Sequence, residues 1–138
     1  MGILNLTPDS FYDGNKSLSP SFFLKRYNEI SNADIIDIGA ESSRPGSESI
    51  SEKEEIERLQ CFFKFSNGHK YLSIDSYKPG VIKYCLDRNF SMINDISGGG
   101  KKFINIDIAK DYGVPICLMH MQGIPKSMQN SPSYENII

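Results

Sequence analysis

Short apolar runs rich in β-branched residues alternate along the chain with longer segments whose apolar residues recur every three or four positions. The short runs predict five strands, at residues 2–6, 34–38, 71–74, 91–93 and 115–119. Four segments between them have a helical pattern, at residues 20–31, 51–65, 78–88 and 103–112, and a fifth helix is predicted to begin near Ser133. This alternation predicts right-handed βαβ units and a parallel sheet.

Local signals predict where several of these helices begin and end. Ser19 before Pro20 is typical of an N-cap followed by proline at the first helical position. Ser51 and Glu54 have the spacing of a capping box and predict the start of the second helix. Gly113 is expected to end the fourth helix.

Polar residues follow every predicted strand, at Asn5, residues 37–44, Asp75, residues 94–95 and His120. In a (β/α)8 barrel all strands deliver their carboxyl ends to one face, where the active site lies. A doubly wound sheet usually carries a glycine-rich phosphate loop after its first strand, and residues 7–11 contain no glycine. We therefore predict an α/β protein of the (β/α)8 TIM-barrel type.

The length limits how much of such a barrel the chain supplies. A complete barrel takes about 250 residues, whereas these 138 residues supply five βα units at most. We expect residues 1–138 to be the N-terminal part of a single barrel domain. Because its fifth strand would be an open edge, poor stability in isolation is expected.

Composition and charge narrow the class of protein further. Apolar residues make up 39%, charged residues 23%, and the formal net charge is -2, so no basic surface points to nucleic acid or an anionic membrane. The apolar runs are strand-sized and the first residues lack the pattern of a signal peptide, so we expect a cytoplasmic protein without a membrane partner. Cys61, Cys85 and Cys117 are widely spaced, which predicts buried thiols rather than disulfides or a metal site.

Two polar loops contain residues suited to binding ions. Asn5 and Asp13 offer oxygen ligands that suit a hard cation such as Mg²⁺. The surrounding residues are typical of turns, and local chemistry alone favours the turn over the metal site. Arg44, before Pro45, lies in a loop that cannot be helical and can bind a phosphate with its guanidinium fork. A solvated loop arginine is the alternative.

Other polar residues at the predicted strand ends suit recognition of a flat heterocycle. Asp75 can accept hydrogen bonds from ring N–H and amino groups, and Asn94 can both donate and accept. The alternative for Asp75 is the N-cap of the following helix. Met119 can cover one face of a ring or pack in the barrel core. The three glycines at residues 98–100 are interpreted as a flexible turn.

Together and in this order, these segments resemble the dihydropteroate synthase family. GILNLTPDSFYDG at residues 2–14 is similar to the first signature of that family, and DIGAESSRPG at residues 37–46 to the second. IDSYKP, MINDISGG and LMHMQGIPKSMQ follow in the family's order, at residues 74–79, 92–99 and 118–129. The resemblance covers essentially the whole chain.

The resemblance implies a transferase of folate biosynthesis with a (β/α)8 barrel. Such an enzyme condenses 6-hydroxymethyl-7,8-dihydropterin diphosphate with para-aminobenzoate, releases diphosphate with the help of Mg²⁺, and is a target of sulfonamides. Binding partners would be these small molecules rather than nucleic acid or membrane. A homodimer is expected for the full-length form.

The resemblance also implies roles for individual residues. Asn5 and Asp13 match the positions that hold Mg²⁺, and Asp75 and Asn94 match pterin contacts, with Ile96 and Met119 as walls of the ring pocket. The first mobile loop, which helps to form the para-aminobenzoate pocket, corresponds to Thr7, Pro8, Asp9, Ser10 and Phe11. The second mobile loop corresponds to Ser43, Arg44 and Pro45. Within these loops we expect direct catalytic roles for Asp9, Phe11, Ser43 and Arg44.

Some features depart from the family pattern. Ser43 stands where the family usually has threonine, and Ala40 replaces the second glycine of a Gly-Gly pair. The family's later strands bring a further pterin-binding aspartate, a lysine and an Arg-x-His pair, none of which is in these 138 residues. Two alternatives remain: a pterin-binding methyltransferase domain, which the TPDSF and SSRPG loops disfavour, and an inactive truncated pterin-binding remnant.

Overall fold

The computed structural model describes residues 1–7, 20–42, 47–64, 66, 71–120, 131 and 133–136. Its five strands are β1 Gly2–Asn5, β2 Ile36–Gly39, β3 Leu72–Asp75, β4 Met92–Asp95 and β5 Ile116–Leu118. Its four α-helices are α1 Pro20–Glu29, α2 Glu52–Phe63, α3 Pro79–Leu86 and α4 Ile104–Tyr112, with a 3₁₀ turn at Lys101–Phe103 before α4. Every element predicted between residues 2 and 119 is therefore present.

The strands form one parallel sheet in the order β1-β2-β3-β4-β5. A doubly wound sheet reverses its strand order at a switch point and carries helices on both faces. Here the order never reverses, and one apolar cluster joins residues of all four helices to one face of the sheet. The predicted α/β fold of the TIM-barrel type, with five units, is confirmed.

The core lies between the sheet and the helices. Leu4, Ile38, Ile74 and Ile93 form one row across four strands, and all four are fully buried. Phe62 of α2 packs edge-to-face on aromatic rings on either side of it in this layer. Because side chains alternate along a strand, this apolar row leaves the neighbouring positions to face the opposite side of the sheet.

The local signals for helix ends are mostly confirmed. The side chain of Ser51 accepts a hydrogen bond from the backbone N–H of Glu54 at 3.2 Å, so the N-cap of α2 is formed. The Glu54 carboxylate instead accepts from Arg58 at 2.7 Å, which leaves the reciprocal half of the capping box unmade. Gly113 ends α4 in the left-handed conformation, at φ 66°. Ser19 lies outside the described residues.

Three details differ from the predictions. Residues 133–136 show no helix, so the helix predicted to begin near Ser133 is absent from the described residues. Cys85 is buried as predicted, but Cys61 is only half-buried, and Cys117 is exposed because β5 pairs with β4 on one side only. Among the described residues, no helix is long and apolar enough to cross a membrane.

Candidate functional site

Polar side chains from three strands meet on the sheet face that carries none of the described helices, which we call the helix-free face. Asn5 pairs with Gly39, Gly39 with Asp75, and Asp75 with Asn94, so all four residues occupy one row near the carboxyl ends of the strands. Residues in one row of a sheet point to the same face. Three of the residues that the sequence assigned to the site are therefore brought together on the face around which a barrel closes.

Gly39 keeps the centre of this row open. A Cβ at this position would lie 3.1 Å from Oδ2 of Asp75 and 3.4 Å from Oδ1 of Asn5. Contacts this short would force one of the two polar side chains to move. The first glycine of the second signature thus leaves space between an amide oxygen and a carboxylate oxygen, a role that the sequence did not reveal.

Asp75 is a partly buried carboxyl group without a hydrogen-bond donor among the described residues. Burial, followed by the negative charges of Asp37, Glu55, Asp95 and Glu41, raises the pKa of this carboxyl group to about 7. Near neutral pH the group is therefore present in both forms, and it accepts hydrogen bonds when ionised and donates one when protonated. A strongly raised carboxyl pKa in an open site is typical of functional positions.

The alternative role of Asp75, as the N-cap of α3, is wrong. The N-cap residue of α3 is Lys78, which has extended backbone angles and makes no side-chain cap bond. The Asp75 carboxyl is thus free to face a ligand rather than committed to a helix end.

Asp37 of β2 is a site residue to which the sequence assigned no role. It is 4% exposed, and its Oδ2 accepts a hydrogen bond from Nδ2 of Asn94 at 2.9 Å. Its Oδ1 is buried and accepts no hydrogen bond from the described residues. The signal that could have found it is a charged residue between Ile36 and Ile38 in an otherwise apolar strand.

Asp95 has a structural role, although it is adjacent to Asn94. Its Oδ1 accepts hydrogen bonds from the backbone N–H and the hydroxyl of Ser97, at 2.7 and 2.6 Å. Its Oδ2 accepts from the backbone N–H of Gly99 at 3.0 Å and from Nδ2 of Asn105 at 2.9 Å. The fully buried carboxylate therefore fixes the turn after β4 on the helix-covered side of the sheet.

The two predicted walls of the ring pocket follow β4 and β5 directly. Ile96 is half-buried, and Met119 is 36% exposed with its backbone N–H donating to the carbonyl of Asp95 at 2.9 Å. The imidazole of His120 contacts the ring of Tyr134, with 5.6 Å between ring centroids. Both apolar side chains lie at the correct end of the sheet, and their contact with a ring stays a prediction.

The residues that follow β2 are held by hydrogen bonds from α2 and from the segment just before α3. Nζ of Lys78, a buried side chain, donates hydrogen bonds to Glu41 and to Glu55, the latter at 2.7 Å. The hydroxyl of Tyr77 donates to the other oxygen of Glu41 at 3.0 Å, and Arg58 donates to the carbonyl of Ala40 at 2.8 Å. The start of the second predicted loop is thus tied to α2 and to the start of α3.

Burial and neighbouring charges shift the pKa values of Lys78 and Glu55. Burial lowers the pKa of Lys78, but its hydrogen bonds to Glu41 and Glu55 outweigh burial and raise it. Burial raises the pKa of Glu55 despite the neighbouring ammonium group. Ala40, which replaces a family glycine, is not among the residues with positive φ, so the methyl group imposes no backbone strain.

Most of the predicted loop residues lie outside the described residues: Pro8, Asp9, Ser10, Phe11, Asp13, Ser43, Arg44 and Pro45. Their roles stay predictions. Thr7, the last described residue of the first loop, is buried. Within the part of the chain that the structure describes, no group of three His, Cys, Asp or Glu side chains could hold a metal ion.

Comparisons with known proteins identify the family of the chain. The family model for pterin binding enzymes matches residues 1–138. Dihydropteroate synthase of Escherichia coli K12 is 40% identical over 99% of this chain and 50% of that protein. The Yersinia pestis dihydropteroate synthase, solved with a sulfonamide drug complex, has a TM-score of 0.83 and 39% identity over 98% of this chain and 50% of that chain.

A second solved structure, determined with a small molecule, is also similar. The Xanthomonas albilineans dihydropteroate synthase with 4-aminobenzoic acid has a TM-score of 0.76 and 33% identity, over 97% of this chain and 48% of that chain. The chain thus spans about half the length of the relatives it matches. Its resemblance to dihydropteroate synthases is confirmed, and with a family model that matches all 138 residues, the chain belongs to the family of pterin binding enzymes.

Proposed function

We propose that the chain is the N-terminal half of a dihydropteroate synthase barrel. This enzyme would join 6-hydroxymethyl-7,8-dihydropterin diphosphate to para-aminobenzoate and release diphosphate. The observation that carries the proposal is the single row of Asn5, Asp75 and Asn94 on the helix-free face of the sheet. The named relatives support the same reaction.

In this proposal, the pterin ring binds at Asp75 and Asn94. The ring edge carries amino and ring N–H donors, which an ionised carboxylate and an amide oxygen can accept. Ile96 and Met119 cover the apolar faces of the ring. Asp75 lacks a protein donor among the described residues, so a ligand donor would supply its missing hydrogen bond.

Two oxygen atoms near β1 support the proposal of a magnesium site. Oδ1 of Asn5 and Oδ2 of Asp75 border the gap above Gly39, and both are hard oxygen donors. We propose Asn5 and Asp13 as the protein ligands, with Asp13 on the first loop. When bound there, Mg²⁺ would neutralise negative charge on the diphosphate.

The reaction is a substitution at the pterin methylene carbon. The aniline nitrogen of para-aminobenzoate forms a C–N bond as the C–O bond to diphosphate breaks, and the electron pair of that bond leaves with diphosphate. The nitrogen then loses a proton to solvent. Arg44 and Ser43 would donate hydrogen bonds to the departing phosphate oxygens.

The first loop would complete the site around the second substrate. Thr7, Pro8, Asp9, Ser10 and Phe11 would fold over the ring and form the pocket for para-aminobenzoate. Exclusion of water protects the electrophilic methylene from hydrolysis. We further propose that the full-length protein is a cytoplasmic homodimer inhibited by sulfonamides. A pterin-binding methyltransferase is not favoured, because the relatives compared are dihydropteroate synthases.

The open edges of the sheet support completion by further strands. Among the described residues, β1 and β5 each pair on one side only, and nearby apolar side chains are exposed: Ile3 56%, Leu118 43% and Met119 36%. For experiments, we define the completed barrel as residues 1–138 joined to a C-terminal half, either the protein's own or that of the Escherichia coli relative.

The test of the proposal is diphosphate release by the completed barrel. We expect release that requires both the pterin diphosphate and para-aminobenzoate. Asp75→Ala and Asn94→Ala should each lower kcat/KM by about 10- to 100-fold, because each removes a hydrogen bond to the substrate. Asp107→Ala, an exposed acidic position in α4, is the matched control and should have no effect. A folded completed barrel without such release would contradict the proposal.

A further inference from the structure

The side-chain amide of Asn94 is held in one orientation by a neighbour that lies deeper in the sheet. Nδ2 of Asn94 on β4 donates to Oδ2 of Asp37 on β2 at 2.9 Å, across the intervening strand β3. Asp37 lies one inward-facing position before the site row, since it pairs with Ser73 while Gly39 pairs with Asp75. The hydrogen bond therefore runs from the row that faces a ligand down to the row beneath it.

Hydrogen-bond chemistry fixes which end of the amide faces the deeper row. A carboxylate can only accept, so Asp37 selects the amino end of the Asn94 amide. Oδ1 of Asn94 is then left on the other side, and no described residue donates to it. Asn94 therefore presents its amide oxygen to a ligand, and the second N–H of Nδ2 stays available as a donor.

Hydrogen bonds within the described residues do not fully account for the buried carboxylate of Asp37. Asp37 is 4% exposed, its Oδ1 accepts no hydrogen bond from described residues, and the neighbouring hydroxyl of Ser73 is likewise buried and unpaired among them. A buried acceptor without a donor destabilises the fold. A residue needed only for packing would not require this charge.

We propose that Asp37 is a positioning residue that holds the Asn94 amide with its oxygen toward the ligand, so that the site selects a ring edge that donates hydrogen bonds. The inference rests on the proposed pterin-binding function and deepens it. Together with an ionised Asp75, the oriented amide oxygen of Asn94 places two hydrogen-bond acceptors side by side in this part of the site. A ring that carries oxygen in place of an amino group would then place an acceptor opposite the acceptors of the site, and no hydrogen bond would form between them.

The test compares two ligands in the completed barrel. The first is 6-hydroxymethylpterin, and the second is the corresponding lumazine, in which oxygen replaces the 2-amino group. The wild-type protein should bind the pterin more tightly, and Asp37→Ala should lower the ratio of the two affinities by about tenfold or more, because the amide can then turn. Asp37→Asn keeps the size of the side chain, but its amide can also donate to Oδ1 of Asn94, so it should lower the ratio in the same direction without opening a cavity.

Two further measurements make the result decisive. Asp34→Ala, an exposed position just before β2, is the matched control and should leave the ratio unchanged. The NMR signal of the Asn94 Nδ2 hydrogen that Asp37 accepts, without ligand, should shift in Asp37→Ala, because this hydrogen then loses its partner.

The outcomes separate the inference from the function on which it rests. If Asp37→Ala weakens both ligands equally and leaves their ratio intact, the residue is only structural and the inference is wrong. If the Asn94 amide signals do not respond to Asp37→Ala, the orientation itself is refuted. If the wild-type protein binds neither ring while its amide signals respond as expected, the proposed function fails, although the Asp37–Asn94 contact is real.

Discussion

At the scale of single residues, the number of hydrogen-bond donors distinguishes the partly buried carboxyl group that ends β3 from the fully buried one that ends β4. Asp95 accepts four hydrogen bonds and fixes a turn, whereas Asp75 accepts none from described residues and has a pKa raised to about 7 by burial and by neighbouring carboxylates. Burial without donors leaves a carboxyl group ready for a ligand that brings them. The contrast assigns structure to one residue and binding to the other.

The raised pKa of Asp75 predicts how stability depends on pH. Its pKa of about 7 in the folded protein exceeds 3.8, the ordinary value, so folding favours the protonated form. The free energy of unfolding should therefore fall as pH rises from about 4 through 7. Between pH 5 and pH 8, the free energy of unfolding of the completed barrel in urea should fall by about 1–3 kcal/mol more in wild type than in Asp75→Asn. The same loss in both proteins would show that Asp75 titrates normally.

At the scale of elements, buried polar contacts hold the segments after the strands to the helices. Lys78 joins Glu41 after β2 to Glu55 of α2, and the backbone N–H of Gly80 in the first turn of α3 donates to Glu52 at 3.2 Å. A Cβ added at Gly80 would displace the carboxylate end of the Glu52 side chain and disturb this hydrogen bond. These contacts fix the start of α3 against α2 and hold the residues that lead into the second predicted loop.

Removal of the buried ammonium group should be strongly destabilising. Lys78→Met would leave Glu41 and Glu55 buried without a cation, which costs about 3–5 kcal/mol at pH 7. Because burial already raises the pKa of Glu55, the loss should shrink as pH falls and that group becomes protonated. Urea unfolding at pH 7 and pH 5 measures both effects.

A compensating variant provides the control for the buried cluster. Glu55→Gln combined with Lys78→Met removes one of the uncompensated charges and should recover part of the lost stability. No recovery, or a loss that is the same at both pH values, would mean that packing rather than charge accounts for the effect of Lys78→Met.

At the scale of the whole molecule, the sequence predicts what depends on local pattern. Asp75 and Asn94 were found because they follow apolar strands, and the order of the strands follows from the alternation with helices. Asp37 and Gly39 were missed because their roles depend on neighbours in adjacent strands, which only the register brings together. The Lys78 cluster was missed for the same reason, since 37 residues separate Lys78 from Glu41.

The open sheet also predicts the behaviour of the chain by itself. The 138-residue chain covers about half of its relatives, and its site face has no partner among the described residues. We expect the isolated chain to form no measurable dihydropteroate, while the completed barrel does, because several charge-stabilising groups would be missing at once and each can contribute about 10²–10³ in rate. Turnover by the purified chain, free of host enzyme, would show that two copies complete each other.

The central claim is that the row of Asn5, Asp75 and Asn94 lines a pterin site. The most direct test is a crystal structure of the completed barrel with 6-hydroxymethylpterin. The account predicts the ring on the helix-free face of the sheet, with Asp75 and Asn94 within about 2.7–3.2 Å of its polar edge. A ring bound elsewhere, or bound on this face without a hydrogen bond to either side chain, would contradict it.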